Sequence, residues 1–284
     1  MGQSFYEADA AARAVFDEAS ELLGYDMKAL CFEENEKLNL TQYTQPAMVT
    51  TGIAIMKVVE KQGLLPDTAA GLSLGEYEAL YAAGALSATD AIRVVARRGE
   101  LMEAAVPAGV GAMAAVLGAE AGLIEETLSE IPEVWIANYN CPGQIVISGK
   151  KEAVEAAAEA LKARGIKRVL MLNVSGPFHS GLLREAGEEL GKVLAETEIH
   201  PPRIPYYANV TGEIVEDAAK VRGLLTEQVY SSVRFEQSIR NMLSAGVDTF
   251  YELGPGKTLA GFVKKIDRDA TVVNIETMED LAKI

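Results

Sequence analysis

The sequence predicts an α/β protein in which a mainly parallel sheet covered by helices is interrupted by a smaller subdomain with its own strand rhythm. Three observations carry that expectation. Helical and strand-like segments alternate at both ends of the chain, as a parallel sheet requires, because each parallel connection must carry the chain back across a covering helix. Between them lies a stretch ordered βαββαβ. The 284 residues, 49% hydrophobic and 24% charged, suffice to bury a full core without metals or disulfides.

Residues 5–23 form an alanine-rich amphipathic pattern closed by Gly24, and residues 46–61 a more apolar helix opening on Pro46 and ending near Gly63. Residues 68–71 suit a short buried strand. Helices follow over 75–83, stopped by Gly84, and over 88–105, stopped by Pro107. The rhythm then changes to strand (112–117), helix (121–129), strand (134–138), a Cys-Pro-Gly turn, strand (144–148), helix (152–164) and strand (168–174). That order is the split arrangement of ferredoxin-like domains. The expected division is therefore a core of residues 1–106 and 176–284 and an inserted subdomain of residues 107–175. Beyond it, helices near 179–196, 217–229, 235–245 and 256–265 alternate with strands near 204–208, 248–252 and 271–275.

Composition excludes several classes. With 26 basic against 41 acidic residues the net charge is -15, which argues against a nucleic-acid partner met through a broad basic surface. No segment approaches the ~20 apolar residues of a membrane span, and the amino terminus lacks the basic-then-apolar order of a signal peptide. Cys31 and Cys141 are too few for a disulfide framework and fit no zinc spacing. A cytoplasmic protein with no bound metal or cofactor is expected.

The chemistry signal is Gly71-Leu72-Ser73-Leu74-Gly75, a G-x-S-x-G sequence after a strand and opening a helix. On so tight a turn, side chains at both flanking glycines are expected to collide with neighbouring backbone. The Ser73 hydroxyl then projects at a helix amino terminus, where free N–H groups favour developing negative charge, and the Leu74 N–H is the expected oxyanion donor. A serine nucleophile needs a base. Only two histidines exist. His179 follows an apolar strand, where sites assemble in parallel sheets, whereas His200 stands before two prolines in a surface linker.

Six ordered segments carry a resemblance: Gly71 to Tyr77, Arg97 to Met102, Gly111 to Gly118, Asn138 to Gln144, Gly176 to Ser180 and Glu252 to Lys257. Together they resemble the malonyl-CoA:acyl carrier protein transacylases, from about residue 5 to the carboxyl terminus. The resemblance implies a hydrolase-like α/β core with an inserted ferredoxin-like subdomain. It also implies malonyl-CoA as substrate, acyl carrier protein as partner and a malonyl-serine intermediate on Ser73, with His179 as base. The histidine is held by a backbone carbonyl, matched at Gln228. Arg98 matches the arginine that pairs with the malonyl carboxylate, while Arg97 points about 100° away around the helix and reads as a surface residue. Phe178 matches the malonyl-specific pattern, and Gln45 a position near the pocket.

Asn138, Asn140 and Gln144 are expected on a turn, with turn residue and substrate contact equally open. Gly254-Pro255-Gly256 lacks the spacing of a phosphate loop and reads as a packed turn. Leu72 and Glu103 depart from the family's usual histidine and glutamine. The family pattern begins with a strand and a Phe-Pro-Gly-Gln-Gly-type loop, and Met1-Gly2-Gln3-Ser4 aligns just beyond it. The resemblance thus implies that one strand and a second oxyanion donor are missing from the front. Two other functions stay open: a serine esterase or thioesterase on the same elbow, and a catalytically impaired carrier-binding form. An acidic carrier needs a local basic patch, for which Lys150, Lys151 and Arg168 are the candidates.

Overall fold

The computed structural model describes residues 1–107, 109–174 and 176–284. The first expected helix is two, α1 (Gln3–Ala8) and α2 (Ala10–Leu23), because Asp9 is extended and its carboxylate accepts the Ala11 N–H at 2.7 Å. One residue thus ends a helix and caps the next. Gly24, at φ 74°, closes α2 as expected. A short helix not foreseen, α3 (Met27–Phe32), starts at the Asp26 cap. Helix α4 (Thr41–Lys61) begins before Pro46 and carries it inside. Its start is set from a distance, since the Glu103 carboxylate accepts the Gln42 N–H at 2.9 Å.

Strand β1 (Ala69–Ala70) leads through the Ser73 turn into α5 (Gly75–Ala82), followed by α6 (Ala88–Ala104), which Ser87 caps. Helices α4 and α6 pack so closely that a Cβ on Gly99 would lie 2.8 Å from the Thr41 carbonyl oxygen. The next stretch gives β2 (Gly111–Leu117), α7 (Ala121–Ser129), β3 (Val134–Cys141), β4 (Gln144–Lys150), α8 (Lys151–Ala163) and β5 (Arg168–Met171), in the expected order. Its strands lie β3-β4-β2-β5, with every neighbouring pair antiparallel. Ala114, Val116, Ile124, Ile147 and Leu161 bury the sheet against both helices as a separate core cluster. The apolar strand expected to run to 174 stops pairing at Met171, and Leu170 and Met171 are about half exposed. The boundary expected at 175 falls outside the described residues.

The helix expected from residue 179 begins only at a 3₁₀ turn over Gly181–Leu183 and continues as α9 (Arg184–Glu196). His179 sits at φ 56°, a conformation that cannot propagate a right-handed helix. There follow β6 (Tyr206–Tyr207), β7 (Ile214–Val215), α10 (Ala218–Gln228), α11 (Phe235–Ser244), β8 (Thr249–Leu253), α12 (Thr258–Ile266), β9 (Thr271–Ile275) and α13 (Met278–Leu281). The protein is α/β, and where a mainly parallel core sheet was expected the described residues form two small sheets. Strand β1 pairs parallel with β6, which pairs antiparallel with β7, and β8 pairs parallel with β9. The first ladder is two residues long because the chain leaves it at Gly71 to make the turn. The largest core cluster holds Phe5, Phe16, Ile53, Leu80, Ile92 and Leu190, with burial worth about 1.5 to 3 kcal/mol for each such side chain. No helix among the described residues is long and apolar enough to cross a membrane.

Candidate active site

The turn between β1 and α5 holds Ser73 at φ 52°, left-handed backbone that costs a non-glycine residue on the order of 1 to 3 kcal/mol. Gly71 is obligatory there, since a Cβ would overlap the Gly75 carbonyl. Gly75 is not: a Cβ on it meets no heavy atom within 4 Å, so only one of the two expected collisions exists. The turn is clamped by Asn209, two residues beyond β6. Its Oδ1 accepts the Ser73 N–H at 2.5 Å and its Nδ2 donates to the Gly71 carbonyl at 2.6 Å.

His179, 3% exposed, lies with Nε2 2.7 Å from Ser73 Oγ and Nδ1 2.7 Å from the Gln228 carbonyl oxygen. A carbonyl only accepts, so Nδ1 carries the proton and Nε2 presents its lone pair to the serine hydroxyl. Burial, and secondly the positive charge of Arg98, pull the imidazole down to about 4. It is therefore a neutral base at neutral pH, able to accept a proton. Leu74 is the N-cap residue of α5, so its N–H is among those without an intrahelical acceptor.

Arg98 comes from α6 and is 1% exposed, held inward by the close α4 contact at Gly99. One terminal nitrogen donates to Gln45 Oε1 at 2.8 Å. The other donates to Gln228 Oε1 at 3.0 Å and to Ser73 Oγ at 3.1 Å. All three acceptors are neutral oxygens. The guanidinium also lies 5.7 Å from the Tyr77 ring centroid. Burial lowers its affinity for its proton, but an arginine in a protein remains charged. A cation is thus aimed at the serine hydroxyl, with no anion bonded to it among the described residues.

Ser73, His179, Arg98, Gln45 and Gln228 therefore converge. The Gln228 side chain, for which only a backbone role was expected, bonds Arg98 and also donates from Nε2 to the Ser73 carbonyl at 2.8 Å and to Glu76 Oε2 at 2.7 Å. Glu76 lies in the Gly71 to Tyr77 segment but had no role assigned to it, and Asn209 lies in no motif. The one hint for Asn209 is a polar residue at the end of a parallel strand. Phe178 packs between the main core and Met113, Ala137 and Val146 of the small sheet.

Asn138 and Asn140 are not on a turn as expected. Both lie buried within β3, which shifts register at 136/138 and 139/141, and the turn is Pro142-Gly143. Gln144 opens β4 and accepts from Lys265. The surface expectations hold for His200, exposed beside Glu198, and for Arg97, paired with Glu100 at 2.7 Å. Lys150 pairs with Glu133, while Lys151 and Arg168 are exposed. Cys31 and Cys141 are buried free thiols. A cleft of about 390 Å³ opens beside His179, lined by Trp135, Ile136, Arg184, Tyr230 and Arg234 among others.

Comparison with known proteins adds three findings. The acyl transferase domain family matches residues 1–279. The chain is 46% identical to the malonyl CoA-acyl carrier protein transacylase of Bacillus subtilis, over 99% of this chain and 90% of that protein, and 38% identical to the Staphylococcus aureus protein of the same name, over 99% and 92%. Among solved structures, the malonyl CoA-acyl carrier protein transacylase of Clostridium perfringens superposes with a TM-score of 0.96 at 42% identity, covering 100% of this chain and 90% of that one. A structure described as a type II PKS acyl-carrier protein in complex with its malonyl-transacylase gives a TM-score of 0.96 at 38% identity, covering 100% and 93%.

Proposed function

The chain belongs to the acyl transferase domain family, and from that premise we propose that it moves a malonyl group from CoA to the pantetheine thiol of acyl carrier protein. The observation that carries this is the convergence on one hydroxyl. Ser73 Oγ lies 2.7 Å from the His179 base and 3.1 Å from the buried cation of Arg98. The base makes the serine a nucleophile, and the cation selects an acyl group that ends in a carboxylate.

In the first step Ser73 Oγ passes its proton to His179 Nε2 and attacks the thioester carbonyl. The tetrahedral oxyanion is held by the Leu74 N–H, the C–S bond breaks, and the CoA sulfur leaves with the proton from His179. In the second step the pantetheine thiol gives its proton to His179 and attacks the malonyl-serine ester. The Ser73 oxygen leaves with that proton, restoring the free enzyme. Throughout, the Gln228 carbonyl keeps the imidazole in the tautomer that faces the serine. The malonyl carboxylate carbon lies three bonds from Oγ, short enough to fold back onto the guanidinium, where a fork meets a carboxylate in two parallel hydrogen bonds. Gln45 would steady that fork from its far side, and Phe178 and Asn138 would border the acyl and pantetheine path.

The division into a hydrolase-like core, residues 1–106 and 176–284, and a ferredoxin-like insert, residues 107–175, accompanies this proposal. The β3-β4-β2-β5 order with two covering helices supports it. A cytoplasmic location fits two free buried thiols. Intact-mass measurement after mixing with malonyl-CoA tests the function. A malonyl adduct that vanishes in Ser73→Ala is expected. No adduct, or one that survives that substitution, refutes it, and steady release of free malonate without carrier protein would identify an esterase instead.

A further inference from the structure

Directly beneath the reacting groups lies a carboxyl that the transfer steps do not use. Glu76, in the first turn of α5, is fully buried. Its Oε2 accepts the Gln228 Nε2–H at 2.7 Å and the Asn209 backbone N–H at 3.2 Å. The charged and titratable groups that face it are Arg98 from α6, the Tyr206 hydroxyl from β6 and its neighbour Tyr77. Arg98 is the only cation among them.

The Gln228 amide has two orientations of nearly equal shape, and its neighbours decide between them. Its Nε2 faces three acceptors, the Ser73 carbonyl, Glu76 Oε2 and, at 3.5 Å, Asn209 Oδ1, while its Oε1 faces the Arg98 guanidinium, which can only donate. Flipping the amide would set oxygen against oxygen at one end and N–H against a cation at the other. The Ser73 carbonyl also accepts the Glu76 backbone N–H at 3.1 Å, so it is not left bare by a flip. Glu76 is the partner with more to lose, because among the described residues its second oxygen has no donor within hydrogen-bond geometry, the facing Tyr206 hydroxyl included.

We propose that Glu76 is a positioning residue for acyl-group selection: by accepting the Gln228 Nε2–H it turns Gln228 Oε1 toward Arg98, and so fixes the guanidinium that receives the acyl carboxylate. With Tyr77, the same carboxyl in its ionised form opposes the effect of burial on Arg98, whose direct partners are neutral. Glu76 touches no substrate and acts through Gln228. This inference rests on the malonyl-transfer reading above.

The test is the ratio of kcat/KM for malonyl-CoA to that for acetyl-CoA, since loss of folded protein lowers both rates equally. Wild type transferring malonyl with strong preference establishes the parent reading, and its failure to do so would sink that reading before Glu76 is in question. In Glu76→Ala the ratio is expected to fall by about tenfold or more, the size of one charge-assisted contact misplaced. Glu76→Gln keeps the volume but can turn an NH₂ toward Gln228, and the ratio should fall at least about threefold, which decides the matter should the alanine variant not fold. In a Gln228→Leu background, which keeps the carbonyl on His179, Glu76→Ala should change the ratio no further. An unchanged ratio in both Glu76 variants, or a second full loss in the Gln228→Leu background, overturns the proposal.

Discussion

Replacing Arg98 by alanine removes the cation while leaving the serine and its base in place. The two terminal nitrogens of Arg98 make three bonds, to Gln45 at 2.8 Å, Gln228 at 3.0 Å and Ser73 at 3.1 Å, so their N–H groups are the donors nearest an acyl group on Ser73. A malonyl carboxylate taking two of them forms charge-assisted bonds worth about 1.5 to 3 kcal/mol each. Loss of both is about 3 to 6 kcal/mol, or roughly a hundredfold to ten-thousandfold in kcat/KM. Acetyl-CoA lacks the carboxylate, so its transfer should change by less than about tenfold, an effect left to the altered Ser73 and His179 environment.

The assay is initial rate with each thioester at several concentrations, using carrier protein as acceptor. The same variant carries a second readout. The charge of Arg98 helps to pull His179 down to about 4, so its removal should move the acid limb of the rate profile upward. Burial is the larger cause and remains, so the limb should stop short of 6.5. Malonyl and acetyl rates that fall by the same factor, with the acid limb unmoved, would remove Arg98 from its assigned role.

Two other substitutions separate the glycines of the turn. Gly71→Ala drives a Cβ into the Gly75 carbonyl and should cost about 3 kcal/mol or more in denaturant melts, with activity lost. Gly75→Ala meets open space and should leave activity intact while adding about 0.4 to 1 kcal/mol of stability. Titration gives a further pair of expectations. His179 is held to about 4 against 6.5 unfolded, so the unfolded chain binds more protons in that window and stability falls as pH drops from 6.5 to 4, by on the order of 3 kcal/mol. Burial raises Glu76 from 4.5 to about 7, which gives the opposite slope, stability falling as pH rises through that range. In denaturant melts against the native protein, His179→Asn should lose the acid slope and Glu76→Gln should weaken the opposing one, to which Glu78, raised by burial to about 8, still contributes; parallel curves in all three proteins would contradict both assignments.

What the sequence made legible was local. Gly71 to Gly75 announces a tight turn in five consecutive residues, and a chain with two histidines, one before paired prolines, leaves His179 as the candidate base. The element order of residues 111–171 was legible for the same reason, since each strand and helix there shows its own local pattern. What escaped depends on contacts across long stretches of chain. Asp9 splits a helix that periodicity reads as continuous, because capping by one carboxylate outweighs a pattern carried by alanines. The start of α4 is fixed by Glu103, and the clamp on Ser73 by Asn209, each far along the chain. Glu76 stood within the Gly71 to Tyr77 segment without a role, because its burial comes from Gln228 and Asn209, which lie more than a hundred residues along the chain.

Gln228 shows most directly why a motif conveys less than its geometry. A role limited to its backbone carbonyl could be filled by any amino acid with the same main-chain path, so it does not account for glutamine at that position. The side chain does. It must accept from Arg98 and donate to Ser73 and Glu76 at once, which excludes a carboxylate, which cannot donate, and a lysine or arginine, which cannot accept. A primary amide satisfies both, and glutamine is long enough to do so from α10 while its carbonyl remains on His179. Base orientation and cation orientation are therefore tied to one residue, and a substitution there that spares the backbone should still separate the two, keeping proton transfer while loosening the choice between malonyl and acetyl.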